Sequence, residues 1–124
     1  MAQTEEFGGF FKETFKFLKD LQKNNKKEWF EDQRAVYEDK VLDPSFTFIT
    51  AMGERLSSIA PNIVAVPKID KSIFRIYKDV RFSKDKTPYK THIGIFFWDG
   101  KRKKLENPGF YLQLNKNSIF LLIF

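Results

Sequence analysis

Phe74-Arg75-Ile76-Tyr77-Lys78-Asp79-Val80-Arg81-Phe82, continued by Ser83-Lys84-Asp85-Lys86-Thr87-Pro88-Tyr89-Lys90-Thr91-His92, is the stretch on which the reading of the fold turns. Its first half alternates. Phe74, Ile76, Val80 and Phe82 fall on one side of a strand, and Arg75, Tyr77, Asp79 and Arg81 fall on the other. An apolar face therefore anchors the segment, while a polar face presents two guanidiniums, a phenol and a carboxylate. The second half reads as a loop crowded with charge. Before Ser72 the apolar residues recur at helical spacing; after it they alternate. Helices followed by strands predict an α+β fold, three N-terminal helices packed on an antiparallel sheet of about four strands.

Upstream, the spacing predicts a first helix over 12–23, with Phe15, Leu18 and Leu21 on its buried stripe and Phe11 ahead of them. Asn24-Asn25 stops it. Asn25 is read as the cap of a second helix, with Glu28 in capping-box register, and that helix should end near Val41. Asp43-Pro44 is read as the capped start of a third, buried through Ile49, Met52, Leu56 and Ile59. Residues 63–72 contain Pro67 and suit an irregular crossing with a short edge strand. Downstream, strands are expected at 73–82, 90–98, 109–114 and 119–124. Asp99-Gly100 opens a loop holding Lys101-Arg102-Lys103-Lys104, and residues 115–118 form a hairpin loop.

A chain of 124 residues with 42% hydrophobic content is expected to be one globular domain, 1–124, with enough apolar area for a core. It has no Cys and one His, which excludes disulfides, thiolate metal sites and multi-histidine zinc sites. No cofactor is called for. The N-terminus lacks a secretory pattern and no apolar run is long enough to span a bilayer, so the expectation is a cytoplasmic protein without membrane partners.

Charge is unevenly placed. Residues 68–104 hold 12 basic and 4 acidic residues, a net of +8, while the whole chain carries +6. Such a concentration points to an anionic partner, either a small molecule or a nucleic acid. The last residues, Ile119-Phe120-Leu121-Leu122-Ile123-Phe124, are all apolar. A strand of that composition needs cover, which predicts self-association or a partner along it.

Two signatures resemble a known family. One is Phe17-Leu18-Lys19-Asp20-Leu21 with Asn24-Asn25, Glu28-Trp29-Phe30, Arg34 and Tyr37. The other is Phe74-Arg75-Ile76-Tyr77, Asp79, and Arg81-Phe82-Ser83-Lys84-Asp85-Lys86-Thr87-Pro88-Tyr89-Lys90-Thr91. Together they resemble domain of unknown function 2461, from about Phe10 to about Ser118. The resemblance implies no catalytic assignment. It also implies a longer domain, so the chain is expected to be its N-terminal part.

The candidate site follows from the central stretch. Arg75 and Arg81 offer planar forks suited to phosphate or carboxylate, Tyr77 adds a hydroxyl, Asp79 orients a guanidinium, and Lys84, Lys86 and Lys90 add charge. Against this stands an internal network in which Asp79 pairs with Arg75 or Arg81. His92 can act as an acid or base near neutral pH, or be a packed strand residue. Asp79 and Asp85 sit among cations that should lower their pKa values, making them weak bases and magnesium ligands only if a phosphate brings the metal. The nucleic-acid alternative uses the basic 68–104 surface, with Trp98 and Phe110 as stacking candidates. Whether any reaction follows binding is left open by these residues.

Overall fold

The computed structural model describes residues 7–100 and 108–123. Helix α1, Lys12–Lys23, buries Thr14, Phe17, Leu18 and Leu21. The buried stripe is thus turned toward Phe17. Phe15 is only half-buried and Phe11 is exposed, contrary to the expected stripe. Asn24 does end the helix, through its backbone N–H to the carbonyls of Asp20 and Leu21 and its side-chain amide to Asp20.

The expected second helix is built of three pieces: α2 at Lys27–Asp32, α3 at Arg34–Tyr37, and a π-helical turn at Glu38–Leu42. Its first turn is not capped by Asn25. Lys26 occupies the cap position and no side chain bonds there. Helix α4, Asp43–Ser57, follows the π turn without a break, so Asp43 is not a cap either. Pro44 has no N–H, and in a continuous helix its ring would press on the carbonyl of Lys40. The wide turn relieves that crowding, and the buried Thr14 hydroxyl of α1 donates to the Lys40 carbonyl instead. Along α4, Ile49 is buried and Met52 and Leu56 pack at the edge of the core, while Ile59, past the end of the helix, is exposed, against expectation.

The sheet is antiparallel with order β1-β2-β3-β4: β1 Ile63–Val64, β2 Ile93–Asp99, β3 Gly109–Leu114 and β4 Ile119–Ile123. The crossing at 63–72 does carry the short edge strand. In β2, every residue from Ile93 to Trp98 is buried. Ile93, Ile95 and Phe97 lie opposite Leu114, Leu112 and Phe110, and this shared face packs on the helices. Gly109 is required where it stands, because a Cβ there would run into the Phe97 carbonyl. The chain is α+β, as expected. The basic loop residues Lys101, Arg102, Lys103 and Lys104, and Phe124, lie outside the described residues.

The strand expected at 73–82 is replaced by an extended excursion held by isolated bridges, Ile73 to Ile95 and Tyr77 to Tyr89. Phe74 N–H donates to Gly94 and Phe96 N–H to Ser72; farther out, Lys78 N–H donates to Pro88 and Lys90 N–H to Ile76. Pairing stops at Lys78. Pro88 offers no donor, and beyond it side chains take the backbone groups a ladder would need. Asp79 accepts from the Arg81 N–H, Ser83 from the Asp85 N–H, and Asp85 from the Thr87 N–H. Ile76 is buried and Val80 half-buried, so the alternation is real that far. Phe82 is then thrown outward, 94% exposed.

Candidate functional site

The excursion folds back on itself as a loop, and two contacts fix its base to the helices. Phe30, fully buried in α2, stacks on Tyr89 with ring centroids 4.3 Å apart and also meets Tyr37 and Tyr77. Asn25 donates to the Tyr89 carbonyl at 2.8 Å and accepts from the Tyr89 N–H at 3.0 Å. A side chain 64 positions away in sequence thereby satisfies both backbone groups of one loop residue.

Each expected site residue has a definite place. Arg75 forms a two-point pair with Asp70, at 3.0 and 2.8 Å. Arg81 forms another with Asp79, at 3.0 and 2.9 Å. Both pairs are exposed, and they are separate: two carboxylates serve two guanidiniums, the second supplied by Asp70 from outside the stretch. The Arg81 guanidinium and N–H hold the Asp79 carboxyl below the usual carboxylate range. Tyr77 accepts from Arg34, which is itself forked onto Glu31. Lys86 donates to the Val80 carbonyl at 2.6 Å, and Lys84 is exposed. Lys90 donates to the Arg75 carbonyl at 2.8 Å and lies over the Phe74 ring.

Of these residues, Lys90 lines a cleft of about 380 Å³ between the loop and the end of α1. Gln22 and Asn25 form the helical wall. Lys78, Asp85 and Thr87 form the loop wall, and Thr91 and His92 lead from Lys90 into β2. Lys78 donates to Asp85 at 2.8 Å and to Thr87 at 2.6 Å. The Lys78 ammonium, with help from Thr87, holds the Asp85 carboxyl far below its ordinary value. Burial, then the Arg75 charge, pulls the Lys90 ammonium below the usual lysine value. Burial, then Lys90, pulls His92 below 6.5. None of the ion pairs among the described residues includes Lys90, whose hydrogen bond goes to a neutral carbonyl.

Sequence reasoning passed over most of this wall. Asn25 was expected as a helix cap and Lys78 only as part of a basic surface. Thr87 and Thr91 entered only as part of the family signature and Gln22 not at all, because nothing in the chain order announces that the end of α1 meets residue 89. The stacking candidates are also corrected. Trp98 is 8% exposed and stacked on Phe96, and Phe110 packs against the core. Phe82 is the exposed ring, with the Arg81 guanidinium 5.6 Å from its centroid. A second cavity of about 280 Å³, between Phe7–Phe11 and the start of α4, carries Asp39 and Asp43, with the Lys40 ammonium beside it on Asp39 and the Phe11 ring.

Among the described residues, no helix is long and apolar enough to cross a membrane, and no group of three or more His, Asp or Glu is placed to hold a metal ion. Residues 13–123 match a family model described as "Conserved hypothetical protein (DUF2461)". No curated protein and no solved structure matches the chain.

Proposed function

The chain belongs to the conserved hypothetical family DUF2461; from that premise, and from the geometry of the cleft, we propose that it binds a phosphate- or carboxylate-bearing ligand between Lys78 and Lys90. One observation carries this reading. Lys90, a partly buried lysine in the wall of a cleft, makes no ion pair among the described residues, and the nearby Asp70 carboxylate, itself paired with Arg75, only partly offsets its burial. A partly desolvated cation whose charge is incompletely balanced costs free energy that an incoming anion returns. Thr91 supplies a hydroxyl, His92 supplies an imidazole that can donate once protonated, and Thr87 spends its hydroxyl proton on Asp85. Arg75, Arg81, Lys84 and Lys86 form the exposed cationic surround, which raises the local anion concentration, while Tyr77 and Asp79 hold Arg34 and Arg81 in place. The same reading places the protein in the cytoplasm, where a chain without Cys has nothing to lose to reducing conditions.

Calorimetry with inorganic phosphate, pyrophosphate and a dicarboxylate tests it. Lys90→Gln is expected to weaken phosphate binding at least about tenfold, while Lys84→Gln, outside the cleft, changes it little. His92 gives an independent readout, because it is the sole histidine. Its folded value lies below 6.5, so the unfolded chain takes up the proton first, and stability present above 6.5 is lost as pH falls through that window. An anion beside the ring reverses the local field. Proton NMR should then show the His92 pKa rising as phosphate is added, with binding tightening as pH drops below 7. Equal phosphate affinity in Lys90→Gln and parent would reduce the Arg75–Asp70 and Arg81–Asp79 pairs to a structural network and end the proposal.

Phe82 favours a second reading, a single-stranded nucleic-acid surface. A fully presented ring beside Arg81, two residues from Lys84, suits base stacking and phosphate contact. Fluorescence titration with short single-stranded DNA and RNA should then show affinity falling steeply with salt. Phe82→Ala should cost about 1–3 kcal/mol of binding. No binding at low salt removes this reading.

A further inference from the structure

Helix α1 buries Thr14, Phe17, Leu18 and Leu21, and its opposite face is made of lysine. Lys12, Lys16, Lys19 and Lys23 are all exposed and recur at steps of four, three and four residues. At about 100° per residue they fall within about 60° of one another, directly away from the buried stripe. At a rise of about 1.5 Å per residue they form a ridge about 16 Å long. Lys26 and Lys27, also exposed, continue the charge past its end. Residues 12–27 thus hold six basic and two acidic residues. Both acids stand on one flank of the ridge: Asp20 takes the Lys16 ammonium at 2.7 Å, and Glu13 turns to Lys40 at 3.8 Å. Lys12, Lys19 and Lys23 enter no ion pair among the described residues. We propose that this ridge docks on the phosphate backbone of a double-stranded nucleic acid.

What selects a polyanion is the cost of the ridge in its absence. Like charges three and four apart on a helix repel, and opposite charges at that spacing attract. Along this crest every such neighbour, from Lys12 to Lys23, is lysine on lysine. A row of phosphates turns that repulsion into attraction and releases its own condensed counterions. The exposed Lys16–Asp20 pair is worth little and gives way to a phosphate. Over about 16 Å of its axis a duplex carries about five phosphates on each strand, enough for one at each ammonium. The crest offers nothing to other polyanions beyond charge. Its apolar side is already spent in the core, whereas a helix that settles into a lipid surface keeps that side for the bilayer. Phe11 lies under the Lys40 ammonium and Phe15 is half-buried, so no free ring stands along the ridge for an unpaired base to stack on. Contacts confined to phosphate position a duplex without reading its sequence. This inference does not rest on the cleft, and it differs from the reading of Phe82 in taking paired strands.

Fluorescence anisotropy with a labelled DNA duplex of about 20 base pairs, from about 20 to 200 mM salt, tests it. The parent should bind without sequence preference, log affinity falling linearly with log salt. Lys12→Gln, Lys16→Gln, Lys19→Gln and Lys23→Gln combined should lower that slope by about 3–4, since each lost phosphate contact removes about 0.9. The same four positions changed to Arg should keep it. A matched variant, Arg55→Gln, Lys68→Gln, Lys71→Gln and Lys116→Gln combined, loses the same formal charge from exposed positions off the ridge and should also keep it. Lys90→Gln and Phe82→Ala should leave it unchanged, which separates this inference from the cleft and from single-strand stacking. The four ridge side chains are exposed and Gln is a good helix former, so circular dichroism should show the fold intact. If the fourfold variant unfolds, Lys12→Gln with Lys19→Gln should by themselves lower the slope by about half as much. No duplex binding at the lowest salt, an equal loss of slope in the matched variant, or binding to phosphatidylserine vesicles or polyglutamate as tight as to the duplex would each overturn the proposal.

Discussion

Phe30→Ala is expected to remove about 3–5 kcal/mol of stability. Phe30 is fully buried and meets Phe17, Tyr37, Tyr77 and Tyr89, so it joins α1 and α3 to the charged loop. Truncation leaves a cavity between elements that come from distant parts of the chain. The rings around it are rigid and collapse poorly into the space, which places the cost toward the upper end for a core aromatic. The stacked contact with Tyr89 contributes about 0.5–1.5 kcal/mol beyond the buried area. Urea denaturation of Phe30→Ala and parent measures the effect. Phe82→Ala is the matched control, with a change within about 0.5 kcal/mol, because the ring is exposed. A Phe30→Ala loss below about 1 kcal/mol would mean that the aromatic cluster does not hold the loop to the helices.

Asn25→Ala is expected to cost about 2–3 kcal/mol. The substitution removes two hydrogen bonds at once and leaves the Tyr89 N–H and carbonyl without partners in a partly buried position. Unmade backbone bonds cost more than made ones contribute, because the groups have already given up water. The loss should also be local. Amide exchange at Tyr89, and at the Lys78 and Lys90 amides that complete the base of the loop, should speed up well before the sheet opens. Asn25→Asp keeps the acceptor for the Tyr89 N–H but sets a carboxylate oxygen against the Tyr89 carbonyl, so it should recover only part of the loss. Unchanged exchange at Tyr89 in Asn25→Ala would show that the loop is held by its ring contacts alone. Because Asn25 also lines the cleft, this variant separates the cleft's shape from its charge.

Much of the fold was legible because its signals are local. The 109–114 strand, the hairpin loop at 115–118 and the end of α1 at Asn24 follow from period and turn chemistry within a few residues. Two of the misreadings share one cause. Asn25 and Asp79 are short polar residues whose oxygen serves whichever backbone or guanidinium group lies within reach in the fold. Asn25 turned to a loop, and Asp79 turned back on Arg81 and helped end the strand it was read into. At Asp43-Pro44 the helical path continued because α1 supplied what the proline lacks. For the candidate site, charge density pointed to the segment that lines one side of the cleft, and Lys90 was named from it. The unpaired ammonium, the cleft and Asp70 as the partner of Arg75 were not legible, since pairing across space leaves no period in the chain.

The Thr14 hydroxyl at the Lys40 carbonyl has a consequence for how this sequence can vary. Thr14 stands in for a donor that Pro44 does not have, so the two positions, thirty apart, are not free of each other. With proline at 44, replacing the hydroxyl at 14 by a methyl takes from the Lys40 carbonyl the donor that α1 supplies. With a residue at 44 that carries an N–H, the same replacement becomes an ordinary apolar exchange in a buried position. The order of change therefore matters. Position 44 must be released before position 14, and a path through the reverse order crosses a less stable chain.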